Sequence, residues 1–257
     1  MDCQGEFSIQ IRNLYKGYYD MAQDSDSHGQ RVKINVLENV NFDVREKEFV
    51  SILGKSGSGK TTMLHLIAGF LKPDKGEILV LGKRKAGPDK EIGVIFQDYV
   101  LFPWYTVFEN VAFGLKVAKK SRQEIEKITM DCLRHMELEA YKDYYPCQLS
   151  GGMKQRTAIA RALVNSPKVI IMDEPLSAQD KITKEGLYRL LKQYGEKQGT
   201  TFLMVTHSIE EAVRLADRVL VVNDKTIALN VKIELESTRN ENNPDFVRYI
   251  NLLHSAI

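Results

Sequence analysis

The apolar stretch FVSIL, Phe49 to Leu53, runs without a break into GKSGSGKTT. No other feature limits the fold as strongly. The pattern G-x-x-x-x-G-K-[ST] is filled by Gly54, Lys55, Ser56, Gly57, Ser58, Gly59, Lys60 and Thr61. It works only with a strand before it and a helix behind it. Glycines let successive backbone N–H groups curl around phosphate oxygens without a Cβ in the way. The helix that follows offers its N-terminus to the same anion. Lys60 would reach the β- and γ-phosphates, the Thr61 hydroxyl would bind Mg2+, and Thr62 would complete the cradle. A chance match in a chain of this length is on the order of 1%.

The second half of such a site is a carboxylate at the end of a buried strand. VIIMDE, Val169 to Glu174, supplies it. Asp173 would hold Mg2+ through its shell, and Glu174 would polarise a water for in-line attack on a γ-phosphate. Alone, an Asp-Glu pair at a strand end reads as solvated charge. Behind this loop it reads as catalytic.

Apolar periodicity places strands at Phe7 to Leu14, within Ile34 to Val44, and at Phe49 to Leu53, Ile78 to Leu81 and Ile92 to Phe96. Further strands are expected at Val169 to Met172, Thr201 to Val205 and Val219 to Val222. Helices are expected from the phosphate loop to about Phe70, over most of 98–165, and at Lys181 to Tyr194, Ser208 to Ala216 and Asp245 to His254. The fold class is therefore α/β: a P-loop NTPase core with a mainly parallel sheet, an N-terminal antiparallel β portion and an inserted helical subdomain. The chain reads as a single domain over 1–257. Its core covers about 7–97 and 166–232, its helical subdomain about 98–165, and its short tail, with a helix, about 233–257.

A net charge of +2 argues against a dedicated nucleic-acid binder. Cys3, Cys132 and Cys147 show no paired spacing and read as free thiols. The opening MDCQGEFSIQ lacks the basic and apolar regions of a signal peptide. No apolar run reaches the roughly 18 residues that span a bilayer. A soluble chain is expected, working at a membrane only through a partner.

One stretch fits none of this. LSGGMKQR, Leu149 to Arg156, opens a helix with adjacent glycines, which are poor helix formers. With it the chain resembles the ATP-binding subunits of ABC transporters over nearly its whole length. The resemblance makes LSGGMKQR the signature motif. Ser150, Gly151, Gly152 and Gln155 would then act in trans, closing over the ATP held by a second subunit. Two such subunits pair head to tail, with ATP as the glue. The resemblance also implies that Tyr18, with Tyr19 as a rival, stacks on adenine. Gln97 would touch the metal, His207 would contact the γ-phosphate, and Asp180 would belong to the D-loop. There Leu176-Ser177-Ala178-Gln179-Asp180 departs from the family pattern at Gln179, as Ser208 does where relatives often have Asp. The Asp20 to Arg31 loop is longer than usual.

The segment DYVLFPWYTVFENVAFGL after Gln97 is dense in aromatics: core, or a groove for a short helix of a membrane partner. With Met153 it resembles the nitrate/sulfonate/taurine/bicarbonate branch of importers. The expected function is ATP hydrolysis driving import of a small oxyanion-type solute. The partners would be a second ATP-binding subunit, a homodimer by preference, permease subunits and, indirectly, an extracytoplasmic solute-binding protein, with no nucleic acid. The expected location is peripheral, on the cytoplasmic face of the membrane. Two alternatives stand beside this: a soluble ABC ATPase acting on nucleic acid or as a non-transport switch, and a pseudo-enzyme that dimerises without turnover.

Overall fold

The computed structural model describes residues 6–19, 33–176, 181–235, 239–240 and 242–257. Expectations on Cys3, the 20–31 loop and Ser177 to Asp180 lie outside these residues. In chain order the elements are β1 (Phe7–Tyr19), β2 (Lys33–Arg45), β3 (Phe49–Leu53), α1 (Lys60–Ala68), β4 (Lys75–Val80), β5 (Lys83–Arg84) and β6 (Ile92–Ile95). Then come α2 (Val107–Val117), α3 (Arg122–His135), α4 (Gly151–Leu163), β7 (Val169–Asp173), α5 (Lys181–Gln198) and β8 (Thr201–Thr206). The chain closes with α6 (Ile209–Leu215), β9 (Arg218–Asn223), β10 (Thr226–Lys232) and α7 (Pro244–Ala256).

The chain divides into two compact units, Met1–Pro88 with Val205–Ile257, and Asp89–Met204. In the first, β1 pairs antiparallel with β2 and β4, in the order β2-β1-β4-β5. Alternation buries Ile9, Ile11, Val40, Phe42 and Val44. The register shifts between Ile11 and Leu14, around Asn13 with φ 47°. Such an irregularity bends a strand and strengthens its twist. The strand thus continues past the expected Leu14 and carries Tyr18 and Tyr19 at its end. In the same unit β3 lies parallel to β9, and β9 pairs antiparallel with β10. All five residues of β3 are buried, as a strand covered on both faces requires. Helix α1 ends at Ala68 because Gly69 turns left-handed, with φ 82°. It does not reach Phe70.

In the second unit β6 and β7 run parallel and β8 lies beside β7. Helix α2 packs on α3 and α4. Thr106 and Ser121 start α2 and α3 through capping boxes with Glu109 and Glu124. The expected helical stretch 98–165 lies inside this unit, but 98–106 is not helical. The central residues of β7 and β8 are wholly apolar and buried, and β7 ends in Asp173.

Candidate nucleotide site

Geometry explains each glycine of the phosphate loop differently. Gly57 and Gly59 take φ values of 78° and 94°, which L side chains adopt rarely. A Cβ on Gly59 would also stand 2.9 Å from the side chains of Val36 and Leu37. A Cβ on Gly54 would stand 2.7 Å from the Val222 carbonyl oxygen. At Gly57 nothing lies within 4 Å, so the loop is open on that side. Gly59 caps α1 with no side-chain hydrogen bond of its own. Lys60 is buried, and its Nζ donates to the carbonyls of Gly54 and Lys55, both at 2.8 Å. Those bonds fold the ammonium across the loop. Lys55, Ser56 and Thr61 are exposed, and Ser58 and Thr62 are half-buried.

Tyr18 is exposed, and its hydroxyl lies 3.4 Å from Thr62 Oγ1 on α1. That link joins Tyr18 to the helix of the phosphate loop; Tyr19 is more exposed, at 58%. Sequence reading missed the support behind Tyr18. Asp74 accepts from Gly17 N at 2.8 Å, from Lys16 Nζ at 3.1 Å and from Lys33 Nζ at 2.9 Å. Burial pushes the Asp74 carboxyl up, but the hydrogen bonds from Lys33, Gly17 and Lys16 outweigh it and hold it at about 2. Lys16 Nζ also lies 5.7 Å from the Tyr18 ring. In the same unit His207 follows β8 directly and is exposed.

The second unit holds the other expected residues. Asp173 ends β7 and is 7% exposed. Glu174 takes φ 43° immediately before Pro175. A non-glycine residue there is uncommon, and a following proline favours extended backbone instead. Such strain is retained where surrounding structure imposes it, and it clusters at functional sites. Gln97 is exposed in the bend after β6. The loop behind it is pinned twice. Asn110, fully buried, accepts from Phe102 N and donates to the carbonyls of Phe102, Tyr105 and Thr106. Arg161 of α4 donates to the carbonyls of Val100 and Tyr99 and lies over the Phe102 ring at 5.4 Å. Burial lowers its pKa. Neither residue was expected from the sequence, because their hydrogen-bond partners are main-chain groups.

Ser150 caps α4, its Oγ accepting from Met153 N at 3.3 Å. Ser150 and Gly151 are exposed and Gly152 is half-buried, whereas Gln155, one turn on from Gly151, is 1% exposed. Arg156 donates to Glu137 and to the Met136 carbonyl. A Cβ on Gly151 would meet only the Tyr99 hydroxyl, at 3.4 Å.

Among the described residues no group of three or more His, Cys, Asp or Glu side chains gathers as a metal site. The expected donors, the Thr61 hydroxyl, the Asp173 carboxylate and the Gln97 amide, are all oxygens. Such a sparse, hard set fits Mg2+ held largely by phosphates and water.

The family model described as ABC transporter matches residues 37–177. This chain belongs to the ABC transporter family. An ABC relative from Methanocaldococcus jannaschii, described as the uncharacterised ABC transporter ATP-binding protein MJ0412, is 43% identical over 255 residues, covering 97% of this chain and 92% of its own. The spermidine/putrescine import ATP-binding protein PotA of Nitratidesulfovibrio vulgaris is 43% identical over 254 residues, covering 97% of this chain and 66% of its own. For PotA of Photobacterium profundum the chain spans 52% of the relative. Among solved structures, the dimeric ABC cassette MJ0796 bound to ADP and Pi is 36% identical with a TM-score of 0.77, over 88% of this chain and 99% of its own. The cbiO1 subunit of Clostridium perfringens, part of the ABC transporter complex cbiONQ, is 28% identical with a TM-score of 0.78, over 96% of this chain and 95% of its own. The fold is that of the ABC ATPase cassettes, antiparallel β portion and helical insertion included, and the enzyme is an ABC-type ATPase.

Proposed function

We propose that this ATPase powers solute import through a membrane permease, working as a head-to-tail pair of subunits. The observation that carries the pairing is the signature helix: it opens on Ser150 and Gly151, exposed and without bulk, in a chain that already has a phosphate loop of its own. In this reading Gly54 to Thr62 cradle the phosphates of ATP, Lys60 exchanges its loop carbonyls for phosphate oxygens, and Tyr18 stacks on adenine. Bound Mg2+, held by Thr61, Asp173 and Gln97, would supply charge neutralisation at the phosphates. Glu174 orients and polarises the attacking water, and His207 contacts the γ-phosphate. Ser150 and the Gly151 and Gly152 amides cover the nucleotide of the partner subunit. Asp180, outside the described residues, would follow in the D-loop. Dimeric MJ0796 and the cbiONQ complex support the pairing and a permease partner.

Docking of the permease falls on the aromatic cluster. Phe102 lies 5.9 Å from Trp104, 5.6 Å from Tyr105 and 4.8 Å from Phe113, and Trp104 is 66% exposed. A cleft of about 950 Å3, lined in part by Phe113, Val117 and Arg161, opens in the same unit. Among the described residues no helix is long and apolar enough to cross a membrane, so peripheral attachment through this surface, on the cytoplasmic side, is the reading.

The oxyanion solute rests on the segment Leu101 to Leu115 and Met153 alone. A second reading, a polyamine, is favoured by the relatives described as spermidine/putrescine import proteins. Purification of the membrane complex, then binding of nitrate, taurine and spermidine to its extracytoplasmic receptor, separates the two. Saturable binding of an oxyanion supports the first reading, and saturable binding of spermidine alone replaces it with the second.

A further inference from the structure

We infer that Glu211 is a positioning residue for His207, an inference that rests on the His207 role proposed above. Ser208 and Glu211 have the S-x-x-E spacing of a capping box. In a plain box the glutamate would accept the N–H of the capping serine. Only half of that box is present here. Ser208 Oγ accepts from Glu211 N at 3.3 Å. The other half is routed through the residue before His207. Thr206 Oγ1 donates to Glu211 Oε2 at 3.0 Å and accepts from Ser208 N at 3.0 Å. Thr206 is thereby bonded to the Glu211 carboxylate directly, and Ser208 is linked to it through the Thr206 hydroxyl.

That carboxylate is 4% exposed, and Thr206 is 1% exposed. Burying a carboxylate is costly unless hydrogen bonds compensate it, and the Ser208 cap would start α6 without it. The additional link fixes the backbone on both sides of His207, so that an exposed imidazole leaves the strand end in one direction. The anchor itself is fixed. At the far end of α6, Arg239 Nη1 donates to the Ala216 carbonyl at 2.5 Å and to the Val213 carbonyl at 3.3 Å. Arg214 of α6 lies over Phe246 of α7 at 5.5 Å. These contacts tie down the far end of α6, opposite the Glu211 contact.

The test is a double-mutant cycle on the full chain, reading kcat and KM for MgATP, with nucleotide affinity measured without Mg2+. The His207→Ala variant should lower kcat at least about tenfold. The Glu211→Ala variant should lower kcat by a similar factor with KM within about twofold, and Glu211→Gln, whose amide oxygen still accepts the Thr206 hydroxyl, should recover most of it. In the double variant, Glu211→Ala should add nothing to His207→Ala, because both remove one function. Multiplicative losses in the double variant, or full kcat in Glu211→Ala, would overturn the inference. Full kcat in His207→Ala would instead remove the reading beneath it, and the inference with it. If Glu211→Ala fails to fold, Thr206→Val removes the same link with less loss of volume. It should show the same kcat-only effect, and Thr206→Ser should restore kcat; an unaltered kcat in Thr206→Val would overturn the inference equally.

Discussion

The molecule has two glycine-rich helix starts, and their glycines do different work. In the phosphate loop Gly57 and Gly59 have positive φ, and Gly54 and Gly59 have no room for a Cβ. There glycine is needed to build the loop. At the start of α4, neither Gly151 nor Gly152 is among the residues with positive φ, and Gly151 faces open space apart from Tyr99. At Gly151 neither φ nor crowding demands glycine, as the role proposed for it toward a second subunit's nucleotide requires. Capping differs in the same sense. Gly59 provides no side-chain cap, and Lys60 completes the loop from within, whereas Ser150 is an ordinary cap that satisfies Met153 N. A loop finished by its own lysine contrasts with a helix start whose first residues are exposed.

The largest effect should come from the chemistry shared by both. Glu174→Gln should cut ATP turnover by a hundredfold or more, about the scale of lost general-base assistance, yet stabilise an ATP-bound dimer. Phosphate release and sedimentation read the two halves, and wild-type turnover would exclude Glu174 as the base. Next, Lys60→Ala should weaken ATP binding by about ten- to a hundredfold, the worth of a charge-assisted contact. Unchanged affinity in a titration would break the view that this lysine completes the loop.

Stability then separates the two helix starts. Gly59→Ala should lose about 1–3 kcal/mol in urea unfolding, because it forces a side chain into left-handed backbone against β2. Gly151→Ala should unfold at the wild-type denaturant concentration, or slightly above it, since alanine is the better helix former. Equal losses in the two variants would erase the distinction.

The smallest effect concerns Asp74 behind Tyr18. Its folded pKa of about 2 lies below the usual 3.8, so it contributes stability above about pH 4 that is lost as pH falls toward 2. Its side chain is partly exposed, so Asp74→Asn should cost about 1 kcal/mol or less at pH 7. That difference should shrink as unfolding is followed from pH 6 down to pH 3. A gap that widens with acid would contradict the ion-pair account.

What the sequence made legible follows from how local each signal is. The phosphate loop and the Asp173-Glu174 strand end are short patterns with fixed spacing, and both fall on the elements expected for them. Strand β10 was missed because its turn, Asp224 and Lys225 with φ 46° and 67°, carries no glycine, and its residues are only half covered. The run 98–106 looked helical by position but is held open by Asn110 and Arg161, whose hydrogen-bond partners are main-chain groups that no side-chain pattern reveals. Gln155, grouped with the signature by the resemblance, is buried in the single chain, which the motif's spelling does not reveal. The Glu211 ring was half visible, since S-x-x-E is a known helix start, but its passage through Thr206 is a property of the fold.

The central claim is that the α4 glycines serve a nucleotide held by another copy. Its most direct measurement traps ATP in mixed dimers that all carry Glu174→Gln. One subunit also carries Lys60→Ala and the other Gly151→Asp. Neither homodimer has an intact site, but the mixed dimer has one, formed by the loop of the second subunit and the signature of the first. Mixing should trap ATP at about one per mixed dimer, as a head-to-tail arrangement demands. If mixing traps no more ATP than the separate variants, while two subunits carrying only Glu174→Gln trap it fully, the signature does not act on the partner's nucleotide.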